Sequence, residues 1–184
     1  MNLFVLDNNP IKAAQLQCDK HVVKMVLESG QMLSTAHRIL DGTMSKRPSK
    51  SGKTMAKYYE LRDPKMENVL YRVAHAGHPC TVWTMESIAN YAWHYDHFQA
   101  LCTEYEYRYG KKHLTQIKLE ELLSIPPKNI PMGGLTPFKL AMQHEPQCMF
   151  EDAVKSYRAY YRTKADRFKM VWSKRQVPEW FAHV

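Results

Sequence analysis

The segment CDKHVVKMVLESGQML, residues 18–33, carries side chains that can perform acid–base chemistry. On a helix, His21, Lys24 and Glu28 recur at steps of three and four residues, which places them on one face. Apolar residues flank this polar stripe on both sides, so we expect it to line a partly enclosed cleft. A carboxylate held near a lysine and a histidine in such a cleft can act as a general acid or base. We therefore predict a catalytic role for Glu28, with His21 and Lys24 beside it; the alternative is a solvated helix face.

Other reactive side chains in the sequence form weaker patterns. The pairs His75-x-x-His78 and His94-x-x-His97 could each supply two metal ligands, but no HExxH pattern and no cysteine pair completes a zinc site. Cys18 could be a nucleophile near a histidine, although a lone cysteine on an apolar helix usually packs in the core. The chain has no P-loop, GxSxG or GxGxxG motif. We predict a site that uses neither a metal nor a cofactor.

The charge of the chain indicates a polyanionic partner. Its 184 residues include 26 Lys and Arg against 18 Asp and Glu, a formal net charge of +8. Residues 42–57 are rich in Ser, Gly and Pro and contain no acid, which predicts an irregular basic loop. Cations without counter-charges favour contact with a polyanion such as a nucleic acid over a solvated insertion, and the partner that we predict is double-stranded DNA. The predicted contact residues of this loop are Lys46, Arg47, Lys50, Lys53 and Lys57.

Aromatic and basic residues interleave between residues 157 and 181. Aromatic rings can stack on bases while cations meet phosphates. Tyr157 and Tyr161 lie at helical spacing and are expected in the core, whereas Tyr160 and Arg162 are predicted to contact DNA. Further contacts are predicted from the first long helix, at Lys20, Gln31 and Arg38.

Helices are the elements that must position these residues. Apolar positions recur at helical spacing in three long segments, about 19–40, 79–109 and 149–163. Proline and glycine predict an irregular link over residues 125–148. We therefore predict an all-α fold in a single domain spanning residues 1–184, and a monomer. The first residues lack a secretory apolar region and the four cysteines are scattered, so we expect a cytoplasmic protein without a membrane span.

The motif Asp19-x-His21 followed by Glu28 resembles the pyrimidine-dimer DNA glycosylases, the endonuclease V family first known from phage. The pair Gly77-His78 resembles a Gly-His turn of that family, and SYRAYYRTK at 156–164 resembles its aromatic carboxyl-terminal segment. The resemblance implies a compact helical fold, a DNA-repair activity on a flipped, damaged pyrimidine nucleotide, and DNA contact by His78. It also implies a bacterial host cytoplasm if the protein is phage-encoded.

The resemblance further implies an amine nucleophile. In the family, an N-terminal α-amine attacks C1′ of the sugar, and the glutamate that corresponds to Glu28 assists sugar opening and the lyase step. An α-amine has a pKa of about 8, so a useful fraction is neutral at pH 7. Position 2 here is Asn2, which is large enough for the initiator methionine to stay, so the predicted nucleophile is the amine of Met1. Two alternatives stay open: a transferase that modifies a DNA base without strand cleavage, and a DNA-binding protein without catalysis.

Overall fold

The computed structural model describes residues 1–49 and 51–182. Of these described residues, 53% are helical and 7% lie in strands. In chain order the elements are α1 Pro10–Gln15, α2 Asp19–Asp41, β1 Thr43–Pro48, β2 Met55–Glu60, α3 Pro64–Val69, α4 Pro79–Glu86, α5 Ile88–Tyr109, α6 Leu114–Leu123, α7 Ala153–Arg162 and α8 Glu179–Ala182. Short 3₁₀ turns lie at Pro146–Cys148 and Thr163–Asp166.

The prediction of an all-α fold is wrong, because the segment predicted as an irregular basic loop forms an antiparallel β-hairpin. Strands β1 and β2 pair in a register that sets Lys46 opposite Lys57. The segment Met55–Glu60 contains adjacent tyrosines, which favour a pleated, half-buried strand. Gly52, at φ +70°, supplies the left-handed residue that the connecting turn requires. Lys50, another predicted DNA contact, lies outside the described residues.

The predicted helix over 79–109 is two helices, with a break at Ser87. The backbone of Ser87 is extended, and its side chain caps α5 by accepting a hydrogen bond from Asn90 N. The end of α5 agrees with the sequence, since Gly110 adopts a left-handed φ of +67°. The segment predicted as a helix over 149–163 begins only at Ala153, where Asp152 accepts the capping hydrogen bond. Helix α2 matches its predicted range within one residue.

The core forms where α2 packs on α5, with α1, α4 and α6 around this pair. The first six residues also belong to the core, although they form no helix or strand. Leu3, Phe4, Val5 and Leu6 are each no more than 4% exposed. This buried lead-in carries the first residue of the chain to the side of α2.

No helix in residues 1–49 and 51–182 combines the length and the apolar character that crossing a membrane requires.

Candidate functional site

The amino terminus lies directly against the carboxylate of Glu28. The Met1 amine nitrogen is 3.6 Å from Glu28 Oε2, and the same oxygen accepts a hydrogen bond of 3.1 Å from Asn2 N. Lys24 Nζ approaches Oε1 at 3.2 Å, one helical turn before Glu28. The Met1 and Glu28 side chains are 3% and 10% exposed, so their contact is shielded from solvent, whereas Lys24 is 64% exposed. The structure thus brings together the predicted residues Met1, Lys24 and Glu28.

Side-chain and backbone contacts hold the first residues in this position. The Asn2 side chain accepts a hydrogen bond of 2.9 Å from Phe4 N and donates one of 3.4 Å to Ala141 O. Farther along, Leu3 O lies 3.1 Å from His97 Nε2 in the core. Phe4 adopts φ +49°, a conformation that costs free energy for a residue other than glycine. The chain start is therefore anchored, whereas chain termini are usually poorly ordered.

His21 forms an uncharged wall beside the Met1–Glu28 pair. Burial is the main cause that lowers the pKa of His21 to about 4, and Lys24 and Lys164 lower it further. Its Nδ1 lies 2.7 Å from the Tyr161 hydroxyl, which also accepts a hydrogen bond of 2.8 Å from Cys18 N. The contact with the Tyr161 hydroxyl therefore fixes the orientation of the His21 ring.

His78 lies behind the amino terminus as the N-cap of α4. Its Nδ1 accepts a hydrogen bond of 3.2 Å from Cys80 N. The pKa of His78 is lowered, first by burial and then by the neighbouring amine and His75. His78 therefore lies near the Met1 amine, and its side chain is half-buried.

A small pocket of about 200 Å³ opens beside these groups. Its lining residues are Met1, Asn2, Phe4, His21, Lys24, Met25, Glu28, Tyr160, Lys164, Arg167 and Phe168. Sequence reasoning missed Lys164 and Arg167 as site residues. They lie in the basic, aromatic segment of residues 157–181, but only the tertiary structure shows that they line the same pocket as Glu28.

Larger depressions, of about 350, 390, 500 and 630 Å³, lie elsewhere in the described part of the chain. Arg175 lines the last two of them. Their principal cations are engaged by acids: Arg175 bonds to both carboxylate oxygens of Glu104, and Arg158 lies 3.8 Å from Asp7. Among the described residues, neither depression places a chain-terminal amine beside a carboxylate, as the pocket at Glu28 does.

Some of the predicted DNA contacts are on the surface. Lys20 is exposed and lies over the Phe168 ring at 4.6 Å. Gln31 is half-buried. In the hairpin, Lys46, Lys53 and Lys57 are exposed, and no acidic partner is present for them in the described part of the chain. Arg47 differs, since it forms an ion pair with Glu60 and covers the Tyr58 ring.

The structure gives other predicted DNA contacts internal roles. Arg38 is fully buried and its guanidinium bonds within the protein, so we revise its assignment from DNA contact to structural residue. Tyr160 is 7% exposed and forms a wall of the small pocket instead of an open stacking platform. Arg162 donates a hydrogen bond of 2.8 Å from Nε to Trp180 O. Tyr157 and Tyr161 are buried, as expected.

The histidine pairs are not arranged as metal sites. His94 and His97 are fully buried, and His94 Nδ1 lies 2.7 Å from the Thr84 hydroxyl. Among residues 1–49 and 51–182, no group of three metal-binding side chains comes together.

Comparison of the chain with family models, with curated proteins and with solved structures found no match.

Proposed function

We propose that this protein is a DNA-binding enzyme that acts on a flipped pyrimidine nucleotide through the Met1 amine and the Glu28 carboxylate. The reaction that this pair serves best is base excision with a lyase step, of the pyrimidine-dimer glycosylase type. The observation that carries the proposal is the distance of 3.6 Å between the amine nitrogen and Glu28 Oε2 beside an accessible pocket. Positioning an amine and a carboxylate together provides a nucleophile and a proton acceptor for one reaction.

The chemistry assigns a step to each group. The neutral amine adds its lone pair to C1′ of the sugar, and the electrons of the glycosidic bond leave with the base, which takes up a proton. The nitrogen then loses a proton, and the C1′–O4′ bond opens as O4′ is protonated, which leaves a protonated imine between the amine and C1′. Glu28 can accept and return these protons, and its negative charge stabilises the cationic sugar as it forms.

The hairpin supports a DNA substrate by its charge and its distance from the pocket. Lys46, Lys53 and Lys57 are exposed cations on a projecting two-stranded ribbon, an element that the major groove can admit. Between Glu28 and the end of α2 at Asp41 the helix rises about 20 Å. A duplex advances about 3.4 Å per base pair, so this rise corresponds to roughly six base pairs. One duplex can therefore reach the pocket and the hairpin together.

A second candidate is a transferase that modifies a DNA base without cutting the strand. The contact between Met1 and Glu28 favours this candidate, because the carboxylate engages the amine that would have to attack C1′. Glu28 would then act as a base toward the nucleotide. A mass increase of intact DNA, without a covalent protein adduct, distinguishes this activity from excision.

Borohydride trapping on abasic-site DNA tests the lyase proposal. We expect a covalent adduct that peptide mapping assigns to the Met1 amine. A variant whose amine is blocked by an N-terminal extension should give no adduct, and an undamaged duplex serves as the substrate control. Failure of the wild type to form any adduct would contradict the lyase proposal. If the protein binds DNA but forms no adduct and causes no mass change, the remaining hypothesis is a DNA-binding protein without catalytic activity.

A further inference from the structure

Lys164 is a buried cation without a hydrogen-bond acceptor. Its residue is only 5% exposed, and within residues 1–49 and 51–182 its Nζ has no hydrogen-bond partner. The ammonium lies 3.4 Å from the centroid of the Tyr160 ring, a cation–π contact that leaves its N–H groups unbonded. An ammonium has three donors, and burying them without acceptors costs free energy. This side chain therefore requires an explanation beyond packing.

The charges around the small pocket do not balance. The cations that line it are the Met1 amine, Lys24, Lys164 and Arg167, whereas the one acid in its lining is Glu28. Glu28 is already bound by Met1 and Lys24. Arg167 is exposed, and in the described part of the chain it forms no ion pair. Lys164 and Arg167 thus form a positive wall of the pocket whose charge nothing in its lining neutralises.

We propose that this pocket binds a phosphate group against Lys164 and Arg167, on the wall that faces the Met1–Glu28 pair. The inference deepens the proposed function and rests on it, because it identifies a phosphate next to the sugar as the group that the site recognises. A phosphate offers several acceptor oxygens, enough for the unbonded donors of a lysine and for an arginine fork. A pocket of about 200 Å³ has room for such a group.

The ionisation of Lys164 gives this phosphate site a characteristic pH dependence. Burial is the main cause that lowers the pKa of Lys164 to about 8, and Arg167 and Lys24 lower it further. Glu145 and Cys148 act in the opposite direction. Phosphate binds the ammonium form, so binding should raise the pKa of Lys164. Phosphate affinity should fall as the pH rises through about 8 and Lys164 loses its proton.

Calorimetric titration of the full chain with inorganic phosphate, at constant ionic strength between about pH 7.5 and 9.5, tests the site. We expect Lys164→Met to weaken binding about tenfold or more and to flatten its pH dependence, since a charge-assisted hydrogen bond is lost. The matched control is Lys155→Met: Lys155 makes a similar contact, 4.5 Å from the Phe150 ring, outside this pocket. The phosphate affinity of Lys155→Met should equal that of the wild type. Equal affinity in Lys164→Met, or no phosphate binding by the wild type, would overturn the proposal.

A measurement on the wild type covers the case in which Lys164→Met does not fold. In a protein with ¹³C-labelled lysine ε-carbons, phosphate should move the titration midpoint of Lys164 to higher pH. An unmoved midpoint at saturating phosphate would contradict the site.

Competition with DNA identifies the source of the phosphate. If it belongs to the DNA backbone, inorganic phosphate should displace an abasic-analogue duplex more readily than an undamaged one. If it belongs to a free phosphate ester, neither duplex should be displaced. A failed trapping reaction would refute the lyase proposal and leave the phosphate titration unaffected, so the two failures are distinguishable.

Discussion

The carboxylate of Glu28, on α2, accepts a hydrogen bond from Asn2 N and forms ion pairs with the Met1 amine and the Lys24 ammonium. Its spacing from His21 and Lys24 predicted a shared helix face, and this arrangement is present. The amine is the part that the helix spacing alone did not reveal, because it arrives from another segment of the chain.

Replacement of Glu28 by Gln tests its chemical role at constant size. Gln retains a hydrogen-bond acceptor for Asn2 N but can neither take up a proton nor carry charge. We expect turnover on DNA to fall by about 10²- to 10⁴-fold with DNA affinity largely retained. Kinetics and affinity should be measured side by side, with Glu106→Gln, an exposed glutamate of α5, as the control. Full turnover in Glu28→Gln would remove Glu28 from the mechanism.

Arg38 illustrates how burial changes the meaning of a cation. Its guanidinium donates to the backbone carbonyls of Tyr59, Glu67, Leu70 and Tyr71 and to the Glu67 carboxylate. All five of its N–H donors are thereby used. Arg38 thus fastens the end of β2 and helix α3 to α2.

Removal of the Arg38 charge should destabilise the fold strongly. Arg38→Met leaves Glu67 and several carbonyls without their donor, and we expect a loss of about 3–5 kcal/mol in the free energy of unfolding. Arg72→Gln is the matched control, since Arg72 pairs with the same Glu67 but is 64% exposed. Its expected cost is below about 1 kcal/mol. Urea unfolding measures both; equal costs would contradict the structural role of Arg38.

The β-hairpin is the element whose charges the fold itself does not compensate. Lys46 and Lys57 are direct cross-strand partners, and like charges in such positions repel each other. Arg47 on the opposite strand face is instead neutralised by Glu60. Among the described residues, the hairpin therefore has a face of unpaired lysines, and a bound polyanion would reduce the repulsion between them.

Exchange of the lysines of this face tests their contact with DNA. In the triple variant Lys46→Gln, Lys53→Gln and Lys57→Gln we expect weaker DNA binding. The slope of log affinity against log salt should decrease by about 0.9 per lost phosphate contact. Thermal stability should stay equal or rise, because the repulsion is removed. The control exchanges three other exposed lysines, namely Lys111, Lys112 and Lys128. An unchanged salt dependence in the hairpin variant would show that these lysines do not contact DNA and that the hairpin is a solvated insertion.

Ion pairs and hydrogen bonds join α2, α5 and the carboxyl-terminal segment beside the site. Arg108 is buried on α5 and bonds to Asp19 at 2.8 Å and to Glu104 at 2.7 Å. Asp19 also accepts hydrogen bonds from Ser173. Asp19 of the sequence motif thus orients the start of α2.

On the scale of the whole molecule, the interior holds histidines that are neutral when the protein is folded. Burial lowers the pKa values of His21, His37 and His97 to about 4 and that of His94 well below 6.5. In the unfolded chain these groups take up protons near pH 6.5. Lowering the pH from about 6.5 to 4 therefore favours the unfolded state, since it binds protons that the native state does not.

The stability of the protein should consequently decline steeply over this pH range. Each buried histidine contributes a slope of up to about 1.4 kcal/mol per pH unit. We expect His37→Gln to reduce the slope of the unfolding free energy against pH by an amount that corresponds to up to one proton taken up on unfolding. Denaturant unfolding at several pH values measures this slope. His75→Asn is the control, because His75 is exposed and at φ +50° asparagine is tolerated. An identical slope in His37→Gln and the wild type would contradict the neutral state of His37.

The amino-acid sequence by itself determined the long helix α2, its polar face and the stop at Gly110, because periodicity and capping depend on residues a few positions apart. Tertiary structure decided what depends on distant segments meeting. Strand pairing turned the basic segment into a hairpin, and burial converted Arg38 from a surface cation into a structural one. The same packing brought Met1 and Lys164 to Glu28, across a separation that no local pattern encodes.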